Sequence, residues 1–319
     1  MRQLTVHKND ENQRLDKYLK KYLKEAPGSF VYKMLRKKNI VLNGKKADGT
    51  EKLTAGDEIK LFLAEETLDK FTGVSTMTEK LSFPEKKLDI LFEDENLLIL
   101  NKPAGELSQK AEAKDVSMNE YALGYLQRTG AITEESLKVF KPSVCNRLDR
   151  NTSGILIVAK TYQAAREFGE ALQKRTVRKF YNCIVKGQVK RSETIDGYLW
   201  KDEKTNKVQI FKEHHEGASE IHTAYQPLKF VKNLTLLEVH LITGRTHQIR
   251  AHLSSIGHSI LGDPKYGDRK LSEKYRVKYQ LLHACRLELD GFIGDFSKYN
   301  GMVITANMPK MFEKIMTEE

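Results

Sequence analysis

The chain is expected to fold as an α+β protein, with a catalytic domain built on a largely antiparallel mixed sheet with flanking helices and a small helix-helix-hairpin domain in front. Short strand-like apolar runs (LDILFEDENLLIL, GILIVAK, LLEVHLI, MVITA) are separated by amphipathic helical stretches such as AAREFGEALQK. The amino-terminal segment instead carries two lysine-rich helical patterns followed by an Asn-Gly hairpin. At 319 residues the chain is long enough for two domains of about 100 to 200 residues each.

The first helix is expected in QRLDKYLKKYLK, where Leu15, Leu19, Tyr22 and Leu23 recur at helical spacing and the lysines occupy the other face. A second starts near Ser29, a cap just after Pro27-Gly28, and runs through Val31 and Leu35 with Lys33, Arg36 and Lys37 beside them. NIVLNGKKA then reads as strand, turn, strand. Residues 1-64 thus form one small basic domain. From Glu65 to Lys80 neither periodicity persists, which predicts a linker over 65-80 and a catalytic domain over 81-319. In that domain the acidic turn Glu93 to Asn96 separates two strands, and Lys102-Pro103-Ala104-Gly105 ends the second.

Lys and Arg number 54 against 43 Asp and Glu, a net charge of +11 and a pI of about 9.3, which points to a polyanionic partner. The excess is concentrated in residues 14-46, where eleven basic residues face two acidic ones for a local charge of +9. Such a face is also what a solvated surface helix presents, so the charge alone does not decide for nucleic-acid binding. Three isolated cysteines, Cys145, Cys183 and Cys285, make neither a CxxC pair nor an even framework, which excludes a disulfide scaffold and a thiolate zinc site. The amino terminus lacks the apolar stretch of a signal peptide, and no window reaches membrane-spanning length. A reduced, cytoplasmic setting without membrane insertion is expected.

The stretch CNRLDRNTSG places one carboxylate, Asp149, between Arg147 and Arg150. Taken alone it is a surface salt bridge. A neighbouring guanidinium also favours the ionised form of a carboxylate, however, which suits a nucleophile or a base and not a general acid.

Several separated pieces settle the choice. FEDENLLILNKPAG, CNRLDRNTSGILIVAK, RKFYNCIVKG and TGRTHQIRAHLSSIGHSILGDPKYG resemble, in order, the motifs of the RluA-type pseudouridine synthases. RLDKYL, MLRKKNIVLNG and LTAGDEIKL resemble the alpha-L RNA-binding module that precedes the catalytic domain in the subgroup modifying large-subunit ribosomal RNA. The resemblance implies a central RNA-binding cleft, isomerisation of uridine to pseudouridine in RNA, and no cofactor or metal. It names three catalytic positions: Asp149 as the essential carboxylate, Tyr181 stacking on the flipped base and assisting at carbon 5, and Arg250 pairing with Asp149. Arg147 is expected to hold the RNA strand open or contact phosphate, with Thr152, Arg245, His247, Lys33, Arg36 and Lys37 as further RNA contacts. Arg150 is expected to be local surface charge, and Ile155 to Ala159 to floor the pocket. Ribosomal RNA is the expected partner, transfer RNA stays open, and the protein is expected to be a monomer.

GRTHQIRAHLSSIGH reads as a turn at Gly244 and a helix ending near Gly257, with Ile249, Leu253 and Ile256 facing the core and Thr246 and Arg250 one turn apart. His247 and His252 stand five residues apart where a zinc pair on one helix face would want four. His214 and His215 read as solvated. The family often has histidine where this chain has Asn146, which can donate a hydrogen bond but cannot titrate. Two other functions fit parts of the pattern. A noncatalytic ribosome-assembly factor would keep the scaffold and basic module, but retention of Asp149, Tyr181 and Arg250 together speaks for an enzyme. A glycoside hydrolase would need a second catalytic carboxylate, for which Asp263 in the turn-like GDPKYG is the only nearby candidate.

Overall fold

The computed structural model describes residues 1-7, 10-73, 82-202, 205 and 207-317. The amino-terminal unit contains β1 (Arg2–Thr5), α1 (Leu15–Tyr22), α2 (Gly28–Arg36), β2 (Ile40–Leu42), β3 (Lys45–Lys46), β4 (Glu58–Leu61) and α3 (Glu65–Thr72). Its four strands lie in the order β1-β4-β2-β3, all antiparallel. Asn43 and Gly44 both have positive φ, the geometry of a two-residue hairpin turn that matches strand twist. Leu15, Leu19, Leu23, Val31 and Leu35 bury one face of each helix on this sheet, while Lys33, Arg36 and Lys37 stay exposed.

Two local expectations change. Pro27, not Ser29, takes the cap position of α2, because proline's fixed φ suits the entry to a helix. The predicted linker begins too early: residues 65-72 form α3, which buries Leu68 against the amino-terminal core and ends on Gly73 in the left-handed conformation. One apolar side chain per turn suffices where the core lies alongside, a weaker periodicity than a sequence pattern requires. Residues 74-80 of that linker lie outside the described residues. Val139 joins the amino-terminal core from the larger unit.

The larger unit runs β5 (Ile90–Glu93), β6 (Leu97–Lys102), α4 (Met118–Arg128), α5 (Glu134–Val139), β7 (Ser143–Val144), β8 (Ser153–Ala159), α6 (Tyr162–Lys174), β9 (Arg178–Lys186), β10 (Glu193–Asp202), β11 (Lys207–Phe211), β12 (Ser219–Val231), β13 (Leu234–Leu241), α7 (Gln248–Ser255), α8 (Arg269–Lys274), β14 (Leu282–Glu288), β15 (Val303–Thr305) and α9 (Lys310–Thr317). One mixed sheet is ordered β11-β10-β12-β13-β9-β14-β8-β6-β5, with β15 on β14 and β7 on β8. Among the described residues its one parallel pairing, β14 on β8, falls at mid-sheet. Gly154 makes that step possible, since with φ +109° a β-carbon there would lie 2.2 Å from the Ala284 carbonyl oxygen.

Helices cover both faces of β6 and β8, which explains their continuous apolar runs. Leu97, Ile99, Ile155 and Ile157 pack on Phe168 of α6, and Leu98, Leu100, Leu156 and Val158 on Leu123 and Leu126 of α4. Ile155 to Ala159 are therefore interior core and not the floor of a pocket. On β9 the two-residue period puts Tyr181, Cys183 and Val185 on one face, against Ile249 and Leu253 of α7. That packing brings Tyr181 and Arg250 to the same side of the sheet. Among the described residues, no helix is long and apolar enough to cross a membrane.

Candidate active site

A cavity of about 1010 Å³ opens over the strand ends at the parallel step. Nine lysines and arginines line it, and Asp149 is its one carboxylate among the described residues. The segment that carries Asp149 leaves the sheet in a defined way. The Cys145 amide donates to the Ile157 carbonyl at 2.7 Å, the last backbone bond to β8. The Asn146 side chain then takes over, donating to the Ile155 carbonyl at 3.1 Å and accepting from the Ile157 amide at 2.8 Å. It replaces a backbone rung with an amide side chain, and the main chain is free to turn toward the cavity. Asparagine offers both a donor and an acceptor for this, so a titrating group is not required.

Lys102 fixes the same turn from below. It is fully buried, and its ammonium donates to the carbonyls of Pro103, Glu106 and Arg150 at 2.9, 2.7 and 2.9 Å. Burial, opposed by Glu106 and Asp149, pulls its pKa down to about 8. The Ser108 hydroxyl bonds both the carbonyl and the amide of Leu148, at 2.9 and 3.0 Å. The residues on either side of Asp149 are thereby held to the segment after β6.

The partner of Asp149 is neither neighbouring arginine. Nη1 of Arg250 donates to Asp149 Oδ2 at 2.7 Å. The rest of that guanidinium is occupied by Asp263, with Nε to Oδ2 at 2.7 Å and Nη2 to Oδ1 at 2.9 Å. Asp263 also accepts the Lys265 and Tyr266 amides, at 2.8 and 3.1 Å. Burial alone would raise the Asp263 pKa, but Arg250 and these amides outweigh it and hold the carboxyl below its ordinary range. Side-chain exposure is 0% for Asp263, 5% for Arg250 and 29% for Asp149, so only Asp149 is open to a substrate. Asp263 thus belongs to a buried clamp, which removes it as the second free carboxylate of a hydrolase.

Tyr181 lines the cavity, and its phenol is pushed up by burial and by the nearby Asp149 charge, so it is protonated at neutral pH. His247 lies on the same wall, its Nδ1 3.0 Å from the Tyr266 hydroxyl, and burial lowers its pKa although Asp149 opposes this. Arg147 and Arg245 are exposed on the rim. Arg150, expected to be mere surface charge, also lines the cavity.

Other expectations are displaced. Thr152 is buried, its hydroxyl accepting from Gln280 at 3.3 Å, and does not line the cavity. Lys33 and Arg36 lie on α2 and Lys37 just after it, outside the cavity wall. His247 caps α7, so Thr246 precedes the helix and does not share a helical face with Arg250, and Ile256 is 38% exposed beyond its end. The left-handed φ of His247 ends the extended turn and starts the helix at Gln248. No cluster of three or more His, Cys, Asp or Glu residues that could hold a metal occurs among the described residues. Nothing in NKPAG marks Lys102 as a support of the site, and GDPKYG offers Asp263 only as a candidate second carboxylate, whereas the structure makes both of them supports of the Asp149 segment and its arginine.

A cationic cavity with one partly exposed carboxylate among the described residues is suited to a polyanionic partner. Residues 96–255 match the RNA pseudouridylate synthase family. The chain is 32% identical over 315 residues to "Ribosomal large subunit pseudouridine synthase C" of Vibrio parahaemolyticus, covering 95% of this chain and 92% of that protein. The protein of the same name from Pasteurella multocida is 34% identical over 275 residues, covering 86% and 80%. The solved structure of human RNA Pseudouridylate Synthase Domain Containing 4 shares the fold at TM-score 0.55 and 23% identity, over 70% of this chain and 90% of that one. The chain belongs to the RNA pseudouridylate synthase family and is an isomerase of the RluA type.

Proposed function

We propose that the protein converts uridine to pseudouridine in large-subunit ribosomal RNA, with Asp149 as the essential carboxylate. The observation that carries this reading is the Asp149 carboxylate itself, partly exposed in the wall of a basic cavity and paired with a buried arginine. The target nucleotide is extruded from its stack into the cavity, and stacking on Tyr181 offsets part of a cost of a few kcal/mol. Asp149 then attacks the anomeric carbon or removes the neighbouring ribose proton; uracil leaves, turns, and rejoins through carbon 5. Arg250 supports the ionised carboxylate on either route, because its remaining donors are tied to Asp263 and it cannot swing away.

The Tyr181 phenol, protonated while Asp149 is charged, suits stacking and donation first. By passing its own proton to the anionic uracil ring that leaves, the phenol becomes the oxygen that takes the carbon 5 proton back, and consumption of the Asp149 charge, one of the causes that raise its pKa, eases that loss. Arg147, Arg150 and Arg245 on the rim meet the phosphates. The amino-terminal unit, with Lys33 and Arg36 exposed on α2 and Lys37 exposed just after it, is a separate RNA-docking domain in a protein that works as a monomer in the cytoplasm.

The test pairs Asp149→Asn with a pseudouridine map. Release of label from carbon 5 of uridine should vanish in the variant, while RNA affinity stays within about threefold, since the amide keeps the shape but can neither attack nor abstract a proton. Cells lacking the gene should lose pseudouridine at sites in large-subunit ribosomal RNA. Sites lost from transfer RNA instead would reassign the substrate, and retained activity in the variant would refute the role of Asp149.

A further inference from the structure

Between the buried Asp263 and Gln280 the chain makes an excursion, PKYGDRKLSEKYRVKY, that the reaction does not need. It carries six basic residues, Lys265, Arg269, Lys270, Lys274, Arg276 and Lys278, all exposed, against Asp268 and Glu273. Both acids are engaged, Asp268 with Lys186 at 2.8 Å and Glu273 with Arg269 at 2.9 Å. Lys270, Lys274, Arg276 and Lys278 make no ion pair with a described residue, and Tyr279 beside them is 50% exposed.

The excursion is pinned at its neck, packed on the core and joined to the cavity. Its neck is closed by the Leu281 amide on the Leu261 carbonyl at 2.9 Å. The two chains approach so closely there that a β-carbon on Gly262 would lie 2.0 Å from the Tyr279 carbonyl oxygen. The Asp268 carboxylate caps α8 by accepting the Leu271 amide at 3.1 Å, and Leu271, Tyr275 and Val277 pack into one core with Phe312 and Ile315 of α9. Pro264 and Lys265 at its start and Gln280 at its end line the cavity wall. A chain of phosphates leaving the cavity on that side therefore meets positive charge on a loop whose backbone is already held, which lowers the entropy cost of ordering it.

We infer that this excursion is a second RNA-docking surface, separate from the amino-terminal unit, which holds the RNA flanking the target nucleotide by phosphate contacts and by stacking on Tyr279. The inference rests on the proposed RNA isomerisation and extends it to residues outside the cavity. Lys270, Lys274 and Lys278 would act through phosphates, so they add affinity that is independent of sequence and sensitive to salt. Tyr279 offers a planar face to an unpaired base, as single-stranded RNA contacts do.

The experiment compares wild type with the triple variant Lys270→Ala, Lys274→Ala, Lys278→Ala on two transcripts of ribosomal RNA centred on the mapped uridine. One is the minimal hairpin around the target, and the other is extended by its flanking RNA, both a duplex and the unpaired bases next to it. On the extended transcript the variant should show KM raised about tenfold, an unchanged kcat, and a log-log salt dependence flatter by roughly 0.7 to 0.9 per lost contact. On the minimal hairpin both proteins should agree within about twofold. Tyr279→Ala should likewise raise KM on the extended transcript alone. Equal behaviour of wild type and variant on the extended transcript would overturn the inference, as would an equal loss on both. Failure of the wild type on both transcripts would instead bring down the underlying substrate assignment.

Discussion

Replacing Asp263 with asparagine isolates the buried clamp from the chemistry. The carboxylate is fully buried and takes two donors from Arg250, at 2.7 and 2.9 Å, and two backbone amides. Asparagine keeps the shape, but its amino group must face a guanidinium N–H, so at least one strong bond becomes a donor-donor contact and the buried arginine loses its counter-charge. Breaking a buried pair by removing one partner costs about 3 to 5 kcal/mol. For a domain of this size that lowers Tm by about 6 to 20 °C. The Arg250 guanidinium is then free to shift, and a displacement on the order of 1 Å at a reacting group lowers turnover about 100-fold. Thermal melts and label release from carbon 5 read the two effects, and a cycle with Arg250→Met separates them, because removing both charges should restore part of the stability. Because Asp263 titrates below its ordinary range in the folded protein, its contribution is present above about pH 4 and lost as pH falls through the folded pKa. The gap between wild type and variant should therefore narrow in acid. An Asp263→Asn protein that melts within about 2 °C of wild type and turns over within threefold would refute the clamp.

Lys102→Met should lower Tm by more than about 6 °C, because three inward carbonyls lose their donor at about 1 to 3 kcal/mol each before relaxation. Its folded pKa of about 8 lies below the ordinary lysine value, so charging it in the folded state carries a penalty that is full below pH 8 and relieved as pH rises toward 10.5. Urea titrations across that range should show the stability of wild type relative to Lys102→Met rising with pH, by on the order of 3 kcal/mol in all. Arg250→Lys should lose far more turnover than affinity, since lysine cannot engage Asp149 and Asp263 with one planar fork. Tyr181→Phe should bind RNA but turn over slowly, and normal turnover in both variants would rule out the roles given to these positions. Deleting residues 1-73 should leave a folded domain with near-normal turnover on saturating RNA but weaker, less salt-dependent binding, with Val139 newly exposed. An unchanged salt slope would show the amino-terminal charge to be a solvated face.

Much of the site could be read along the chain because its chemistry sits in contiguous motifs. RLD, RKFYN and HQIR each carry their functional group at a fixed place, and the two-residue and 3.6-residue periods decide which way Tyr181 and Arg250 face once strand and helix are known. The Asn-Gly hairpin and the apolar run of β8 are equally local, fixed by φ preference and by burial on both faces. The tertiary structure alone decided which charges meet. Arg147 and Arg150 adjoin Asp149 in sequence, yet its partner is Arg250, 101 residues away. Asp263 looks like a turn residue and Lys102 like the end of a strand, and both became structural supports of the site only when loops from distant segments closed over them. Thr152 lies inside the same motif and was turned inward by the start of β8. A motif fixes which groups are available, but ion pairing and burial depend on distances across the fold. Those distances are set by the packing of β8, β9, β14 and α7, which no local period encodes.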